Sequence, residues 1–329
     1  MLHSNSPITV LITSAGVATA SNVIDALRRE TSLPTRIVAV DMNPYAAGLY
    51  RADVKRRVPP CSDPGYLDAL LDICRQEEVF FFLPLYSGEI SLASRNVQRF
   101  SEIGVKTMLA SEQASGLCDD KPRFLAFLKE HNFPFPPTYD LGGCQQHVFP
   151  MFIKPASGSS SKNAYRLDAQ ADLDYFSAKY PRAILQDYIE GVEYTVDCLV
   201  DRGELLACVP RSRLVVKDGK SMVGKTVDHP RLREAVGELL RAVGMHGPCN
   251  VQVIEDRAGR LFFIEINPRL AAGGLPLAVR AGANIPAMML RLALGQNVAP
   301  VTDYQRDLIM IRYLDNLFLE EGPDGLHRI

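Results

Sequence analysis

The 329-residue chain has almost no net charge: 36 Lys and Arg stand against 38 Asp and Glu, a balance of −2. A surface so balanced has no whole-chain attraction for nucleic acid or anionic lipid. No run of about 18 apolar residues occurs, which excludes a membrane-spanning helix. The opening MLHSNSPITVLITSAG lacks a basic leader region, and its apolar stretch reads as a strand, so the expected location is cytoplasmic. The cysteines at 61, 74, 118, 144, 198, 208 and 249 include no CxxC pair and no neighbouring His, which argues against zinc and fits reduced thiols. The histidines are equally scattered, and no repeat, low-complexity tract or long linker is present. With 47% apolar residues, a chain of this length is expected to form roughly two domains.

The first part alternates strand and helix signals. Apolar runs at 8–13, 36–41, 79–85 and 105–109 are separated by helical faces at 22–29 and 66–75, which predicts a parallel sheet. The near-continuous VFFFL run predicts a strand buried on both faces. Asp119-Asp120 before Lys121-Pro122 is a helix start, and HNFPFPPTYD is a Pro-rich break. Strand signals follow at 148–154, 164–167, 183–188 and 193–201. A helix is predicted over 231–245 from the spacing of Leu232, Ala235, Val236, Leu239, Leu240 and Val243. Asn250–Glu255 and Leu261–Asn267 read as a hairpin.

Five segments carry candidate chemistry. Ser14–Ala20 follows the first strand, and Asp41 ends the second, but a single Gly falls short of the GxGxxG of a dinucleotide site. Gly219–Thr226 matches the P-loop string G-x-x-x-x-G-K-[ST], yet its strand, Leu214–Val216, is short and the next helix begins only near Pro230. A mobile basic loop that closes over a substrate competes with that reading, as does a merely solvated set of lysines at 217, 220 and 225. In the hairpin, period two places Glu265 and Asn267 on one face; with an even-numbered connection Gln252 lies across from Phe263, diagonal to Glu265 on that face, while Val251, Val253, Phe262 and Ile264 make the opposite face apolar. A carboxylate and two amide oxygens suit Mg²⁺; a solvated face is the alternative. Glu193, Thr195 and Asp197 share one face of an amphipathic strand. Lys154 followed by the Gly/Ser-rich 156–162 offers N–H groups and hydroxyls to an anion, or is a surface turn.

Taken in order, DDKPRF, FIKPASGSSSK, LQDYIEGVEYTVD, NVQV and FIEINPR resemble the ATP-grasp superfamily, from Asp119 to about Gln296. The branch is similar to the carbamoyl phosphate synthetase large subunit and its single-module carboxylate–amine ligase relatives. The resemblance implies an α/β chain of three parts: a Rossmann-like pre-ATP-grasp domain over 1–115, a small lid subdomain with the phosphate loop over 116–190, and a large subdomain with the metal site over 191–329. It implies that Lys121 and Lys154 contact ATP phosphates and that the loop holding Ser157, Gly158, Ser159 and Ser160 closes over them. Gln186, Asp187 and Ile189 would meet adenine, and Glu193 the ribose. Gln252, Glu265 and Asn267 would hold Mg²⁺ (or Mn²⁺), and Arg269 would face the transferred phosphoryl group. Two departures stand out: Asn163 where relatives often carry Gly, and Gln252 where many carry Glu.

The expected activity is an ADP-forming ligase: phosphorylation of a small-molecule carboxylate, then attack by an amine. Arg213 and Lys225 join Arg269 as candidate catalytic cations. Arg211, Gly273 and Gly274 are substrate-side candidates, several cations there favouring a carboxylate, perhaps of an amino acid. Glu89 either binds a substrate amine or is an exposed helix-start acid. A catalytically weak nucleotide-binding protein, a P-loop NTPase using 219–226 and an NAD-dependent dehydrogenase are the competing functions. Neither nucleic acid nor membrane is an expected partner. The oligomeric state is open, relatives often being dimers.

Overall fold

The computed structural model describes residues 6–141, 148–156, 163–217, 220–323 and 325–329. The first sheet contains β1 (Ile8–Ile12), β2 (Thr35–Asp41), β3 (Val54–Arg57), β4 (Phe81–Leu83) and β5 (Lys106–Thr107). Its order is β3-β2-β1-β4-β5, all parallel. Helices α1 (Ala18–Arg29), α2 (Tyr66–Gln76), α3 (Ser87–Arg95) and α4 (Val97–Glu102) connect the strands. Val10, Ile12, Phe81 and Leu83 face one core while Leu11 and Phe82 face another. Burial on both faces explains why these strands read as unbroken apolar runs. The strands expected over 79–85 and 105–109 are shorter than their apolar runs.

Helices α5 (Glu112–Asp119) and α6 (Lys121–Glu130) lead to the second sheet. The Asp120 side chain caps α6 by accepting from Arg123 N–H, with Pro122 in the first turn, as the sequence predicts. The second sheet is antiparallel, ordered β6-β9-β7-β8, from β6 (Thr138–Tyr139), β7 (Met151–Pro155), β8 (Tyr165–Leu167) and β9 (Ala183–Asp187), with α7 (Gln170–Lys179) between β8 and β9. Met151, Ile153, Leu167, Leu173 and Leu185 form its small core. Period two therefore turns Phe152, Lys154, Ile184 and Gln186 to the opposite face.

The third sheet holds β10 (Gly191–Asp201), β11 (Glu204–Lys217), β12 (Lys220–Thr226), β13 (Gly247–Asp256), β14 (Leu261–Asn267) and β15 (Ile309–Ile311), ordered β14-β13-β10-β11-β12-β15. Helix α8 (Pro230–Val243) covers one face, packing Leu232, Val236 and Leu239 on Val196, Cys198, Val251 and Val253. Its start at Pro230 matches the expectation, and Gly244 ends it in the left-handed conformation (φ 67°) that glycine adopts without penalty. Helices α9 (Leu275–Arg280) and α10 (Ile285–Ala293) share one core with α1, joining the first sheet to the third. A separate hairpin, β16 (Leu319–Gly322) and β17 (Gly325–Arg328), ends the chain. No helix among the described residues is long and apolar enough to cross a membrane.

The segment 217–226 corrects two expectations. It is neither a phosphate-binding loop nor a mobile lid in its described part, because Lys220–Thr226 is β12. Lys225 pairs with Ser212 of β11 on one side and Ile309 of β15 on the other. Thr226 N–H donates to Leu308 O at 3.0 Å and its hydroxyl to Gln305 O at 2.8 Å. A P-loop needs its N–H groups free to converge on phosphate and a helix immediately behind them. Here the strand ladder consumes those groups, and α8 begins four residues later.

Candidate active site

The site is built on the third-sheet face that α8 leaves open. Across β13 and β14 the register is Val253↔Phe263 and then Gln252↔Glu265, so a bulge inserts Ile264. An even-numbered connection would set Gln252 opposite Phe263, but Glu255 pairs with Leu261 across five residues; that odd connection would set Gln252 opposite Ile264, and the bulge moves its partner on to Glu265. Phe263 and Ile266 both point into the core beneath α8, while Glu265 and Asn267 point to the open face. An unbulged strand with period two would have sent Phe263 out alongside Glu265. The extra residue lets a buried aromatic and a half-buried acid occupy one short strand.

Glu265 Oε1 accepts from Gln252 Nε2 and from Asn267 Nδ2, both at 2.8 Å. The three residues expected together are therefore in direct contact. Asn250, which the sequence reading passed over, completes the cluster. It is buried, donates to Arg269 O at 3.0 Å and accepts from Asn267 Nδ2 at 3.4 Å. It lies two residues before Gln252 on the same face, which period two alone could have flagged. Arg269 donates to Asn267 Oδ1, Leu270 O and Ser87 Oγ, the last from α3 at 3.3 Å. Burial pushes its guanidinium below the ordinary arginine range, opposed by the nearby Glu265 and Asp119 carboxylates. A cleft of about 210 Å³ lies here, lined by Ser87, Asp119, Lys121, Glu265 and Asn267 among others.

The second sheet faces this cluster. Lys154 is 8% exposed. Burial lowers its pKa from 10.5 to about 8, with the Glu265 carboxylate pulling upward and Lys121 pushing further down. Those two influences place Lys121, Lys154 and Glu265 around one space. Gln186 is buried beside Lys154 on the same face and donates to Thr138 Oγ1 at 2.9 Å. The Asp187 N–H is taken by Pro137 O at 2.9 Å, and its carboxylate raises the Tyr139 phenol by accepting its hydrogen bond. Ile189 follows β9, half-buried. Asn163 takes φ 61°, a left-handed backbone that Asn tolerates where Gly is usual. Ser157, Gly158, Ser159 and Ser160 lie outside the described residues.

The remaining cations are mostly neutralised by neighbours. Arg213 pairs with Glu193, so the carboxylate expected on ribose already has a cationic partner. Lys225 pairs with Asp307 at 2.7 Å. Arg211, itself buried, donates through Nε to Asp197 at 2.8 Å. Its head fills the space over Gly274, where a Cβ would stand 1.9 Å from the guanidinium carbon. Because Asp197 pins that head in a buried pair, it has nowhere to move. Gly274→Ala is therefore expected to cost about 1–3 kcal/mol through overpacking, read as a lower urea midpoint with an unchanged slope.

Two candidates in the first sheet change character. Glu89 is not an exposed acid: it is buried, accepting from Thr13 Oγ1 at 2.7 Å and from the Tyr66 hydroxyl at 2.6 Å. Burial raises its pKa against those hydrogen bonds. It stands where the strand order reverses between β1 and β4, the usual crevice of such sheets, but both its oxygens are engaged. Asp41 accepts from Gly16 N–H at 2.7 Å and from Asn43 N–H at 2.7 Å. The loop after β1 thus uses the acid that a dinucleotide ribose would need.

Residues 10–108 match the family described as PylC-like, N-terminal domain, and residues 179–316 match the one described as ATP-grasp in the biosynthetic pathway with Ter operon. The arginine-specific large chain of carbamoyl phosphate synthase from Geobacillus stearothermophilus is 20% identical over 274 residues, covering 76% of this chain and 26% of that protein. The chain thus spans about a quarter of that relative's length. Biotin carboxylase from Campylobacter jejuni, solved as its beta-gamma-ATP complex, superposes with a TM-score of 0.73 at 18% identity, over 92% of this chain and 74% of that one. The L-amino acid ligase of Bacillus licheniformis gives 0.66 at 15% identity, over 91% and 79%. At such identities the likeness is one of fold.

Proposed function

Because this chain carries a PylC-like N-terminal domain followed by an ATP-grasp domain, we propose that it is an ADP-forming ligase that activates a small-molecule carboxylate for attack by an amine. The observation that carries this reading is the cleft that Lys121, Glu265 and Asn267 line together, with the buried Lys154 amine of the second sheet close enough to feel the Glu265 carboxylate. Two antiparallel sheets presenting a buried cation and a metal-competent carboxylate to each other suit a nucleotide triphosphate held between them. The domain division at about 115 and 190 belongs to this proposal, as does a homodimeric assembly.

Gln252, Glu265 and Asn267 would hold Mg²⁺ or Mn²⁺. One carboxylate and two amide oxygens are hard donors, and a half-turn of each amide replaces the N–H now given to Glu265 by an oxygen. When bound, the ion compensates charge on the triphosphate. Lys121 and Lys154 would bind phosphate oxygens from the other side. Gln186 and the backbone from Asp187 to Ile189 would border adenine, with Glu193 near the ribose. Arg269, held by Asn267 and Ser87, would face the phosphoryl group in transfer and stabilise its developing charge. The carboxylate oxygen attacks the terminal phosphorus, ADP leaves, and the amine then displaces phosphate from the acyl phosphate. Phosphorylation helps because a carboxylate otherwise has only an oxide-like leaving group.

Hydroxylamine is expected to trap a hydroxamate, in step with ADP release, when a panel of acids is supplied with ATP and Mg²⁺ but no amine. AMP and pyrophosphate among the products would identify an adenylating enzyme instead. Nucleotide binding without hydroxamate from any acid would favour a catalytically weak nucleotide-binding protein. The single carboxylate among the three metal candidates is the feature that would explain that outcome.

A further inference from the structure

Two of the long sheet edges are guarded against pairing with another chain. β3 carries exposed Lys55, Arg56 and Arg57. The outer side of β14 is occupied where Phe263 N–H donates to Pro134 O of the Pro-rich segment at 2.9 Å. β15, at the other end of the third sheet, has neither protection. It reads Ile309-Met310-Ile311, and its isoleucines are 54% and 71% exposed. Charges and prolines blunt an edge, whereas an open apolar edge is a template for a further strand.

The bonds to β12 fix which backbone groups are free. Arg312 N–H donates to Met222 O at 2.9 Å, and Leu308 O accepts from Thr226 N–H at 3.0 Å. Residues 308, 310 and 312 therefore turn their backbone groups toward β12, and alternation turns those of Ile309 and Ile311 outward. These outward groups meet no partner among the described residues. Ile311 also continues an apolar row through Val223 to Val215 on β11.

We infer that β15 pairs antiparallel with β15 of a second copy, across a two-fold axis at Met310, joining the two third sheets into one. In that register Ile309 lies opposite the partner's Ile311 and Ile311 opposite the partner's Ile309. Each pair exchanges two N–H···O bonds, so every outward group of both strands is satisfied. A shift of two residues would set an isoleucine against Asp307, whose φ of 57° bends the chain away, or against Tyr313 beyond the strand. Arg312 faces the partner's Leu308, so no like charges are opposed. This self-complementarity favours a second copy over an unrelated strand. A stable interface covers about 800 Å² per partner. Val215, Ile309, Ile311, Tyr313 and Leu314, each at least half exposed, lie on or beside the edge and offer apolar area of that order. The inference gives the proposed homodimer a surface, and the ligase chemistry does not enter it.

Sedimentation equilibrium of the full chain at micromolar concentration should show a dimer. Ile311→Pro removes an N–H that faces outward and leaves the ladder to β12 intact. It should weaken dimerisation by about tenfold or more with an unchanged circular dichroism spectrum. Met310→Cys tests the register without depending on that variant. Two residues opposed in a pair without mutual hydrogen bonds stand about 4.5 Å apart at Cα, within disulfide reach. With copper phenanthroline as the oxidant, the two thiols lose two protons and two electrons and join, giving a covalent dimer that dithiothreitol reverses. Leu308→Cys, opposite the partner's Arg312, should give no more than the wild-type background. A monomeric wild type would overturn the inference and leave the ligase reading standing. A dimer indifferent to Ile311→Pro, or a cross-link no stronger with Met310→Cys than with Leu308→Cys, would overturn it as well.

Discussion

Glu265→Gln is expected to lower ATP turnover by roughly two to three orders of magnitude while leaving the fold intact. The carboxylate is the one full negative charge among Gln252, Glu265 and Asn267, so its loss removes most of the electrostatic hold on a divalent ion. The fold should survive because the replacement is isosteric. Its amide oxygen can accept the same two N–H groups that Gln252 and Asn267 now donate to Glu265 Oε1. ADP release across a Mg²⁺ titration, with a melting curve alongside, checks both halves. Wild-type turnover with ordinary Mg²⁺ dependence would remove Glu265 from the metal site.

The second large effect concerns Lys154. Lys154→Met should abolish measurable nucleotide binding and raise the melting temperature of the nucleotide-free protein, the stability gain being greatest below pH 8. Burial holds the folded pKa near 8 against an ordinary 10.5. Between those values the unfolded chain binds the extra proton and the folded chain does not, so stability rises with pH there. Below about 8 both states are protonated, and the buried charge is carried at full cost. Nucleotide affinity has the opposite trend, because phosphate needs the cation: it should fall as pH rises above 8, by at most one proton's worth of slope. Lys225→Ala gives the contrast. It breaks a partly exposed pair with Asp307, worth about 0–1 kcal/mol, and should leave nucleotide binding nearly unchanged. Loss of binding in Lys225→Ala alone would reinstate the P-loop string.

The hairpin shows how far sequence reaches. Leu261–Asn267 was legible as a strand to the residue, and its three polar positions were legible as a group. Their pairing was not, because a bulge at Ile264 depends on which of Phe263 and Glu265 the finished core has room to bury. The string 219–226 shows the converse. Its letters fit a phosphate loop, but whether N–H groups are free for phosphate depends on strands β11 and β15, the latter more than eighty residues away. Glu89 likewise read as an exposed helix-start acid or an amine ligand. Thr13 and Tyr66, from other elements, enclose it.

By itself the sequence determined the parallel first sheet and the α6 and α8 starts, since periodicity, caps and proline positions act locally; which residues would serve a nucleotide was implied only by the resemblance. The tertiary structure alone decided which of those residues meet. It brought Glu265 near enough to the buried Lys154 to pull on its proton and gave Arg211, Arg213 and Lys225 their carboxylates. Charge pairing and burial are properties of neighbours distant in the chain, and only the folded arrangement of the sheets fixes those neighbours.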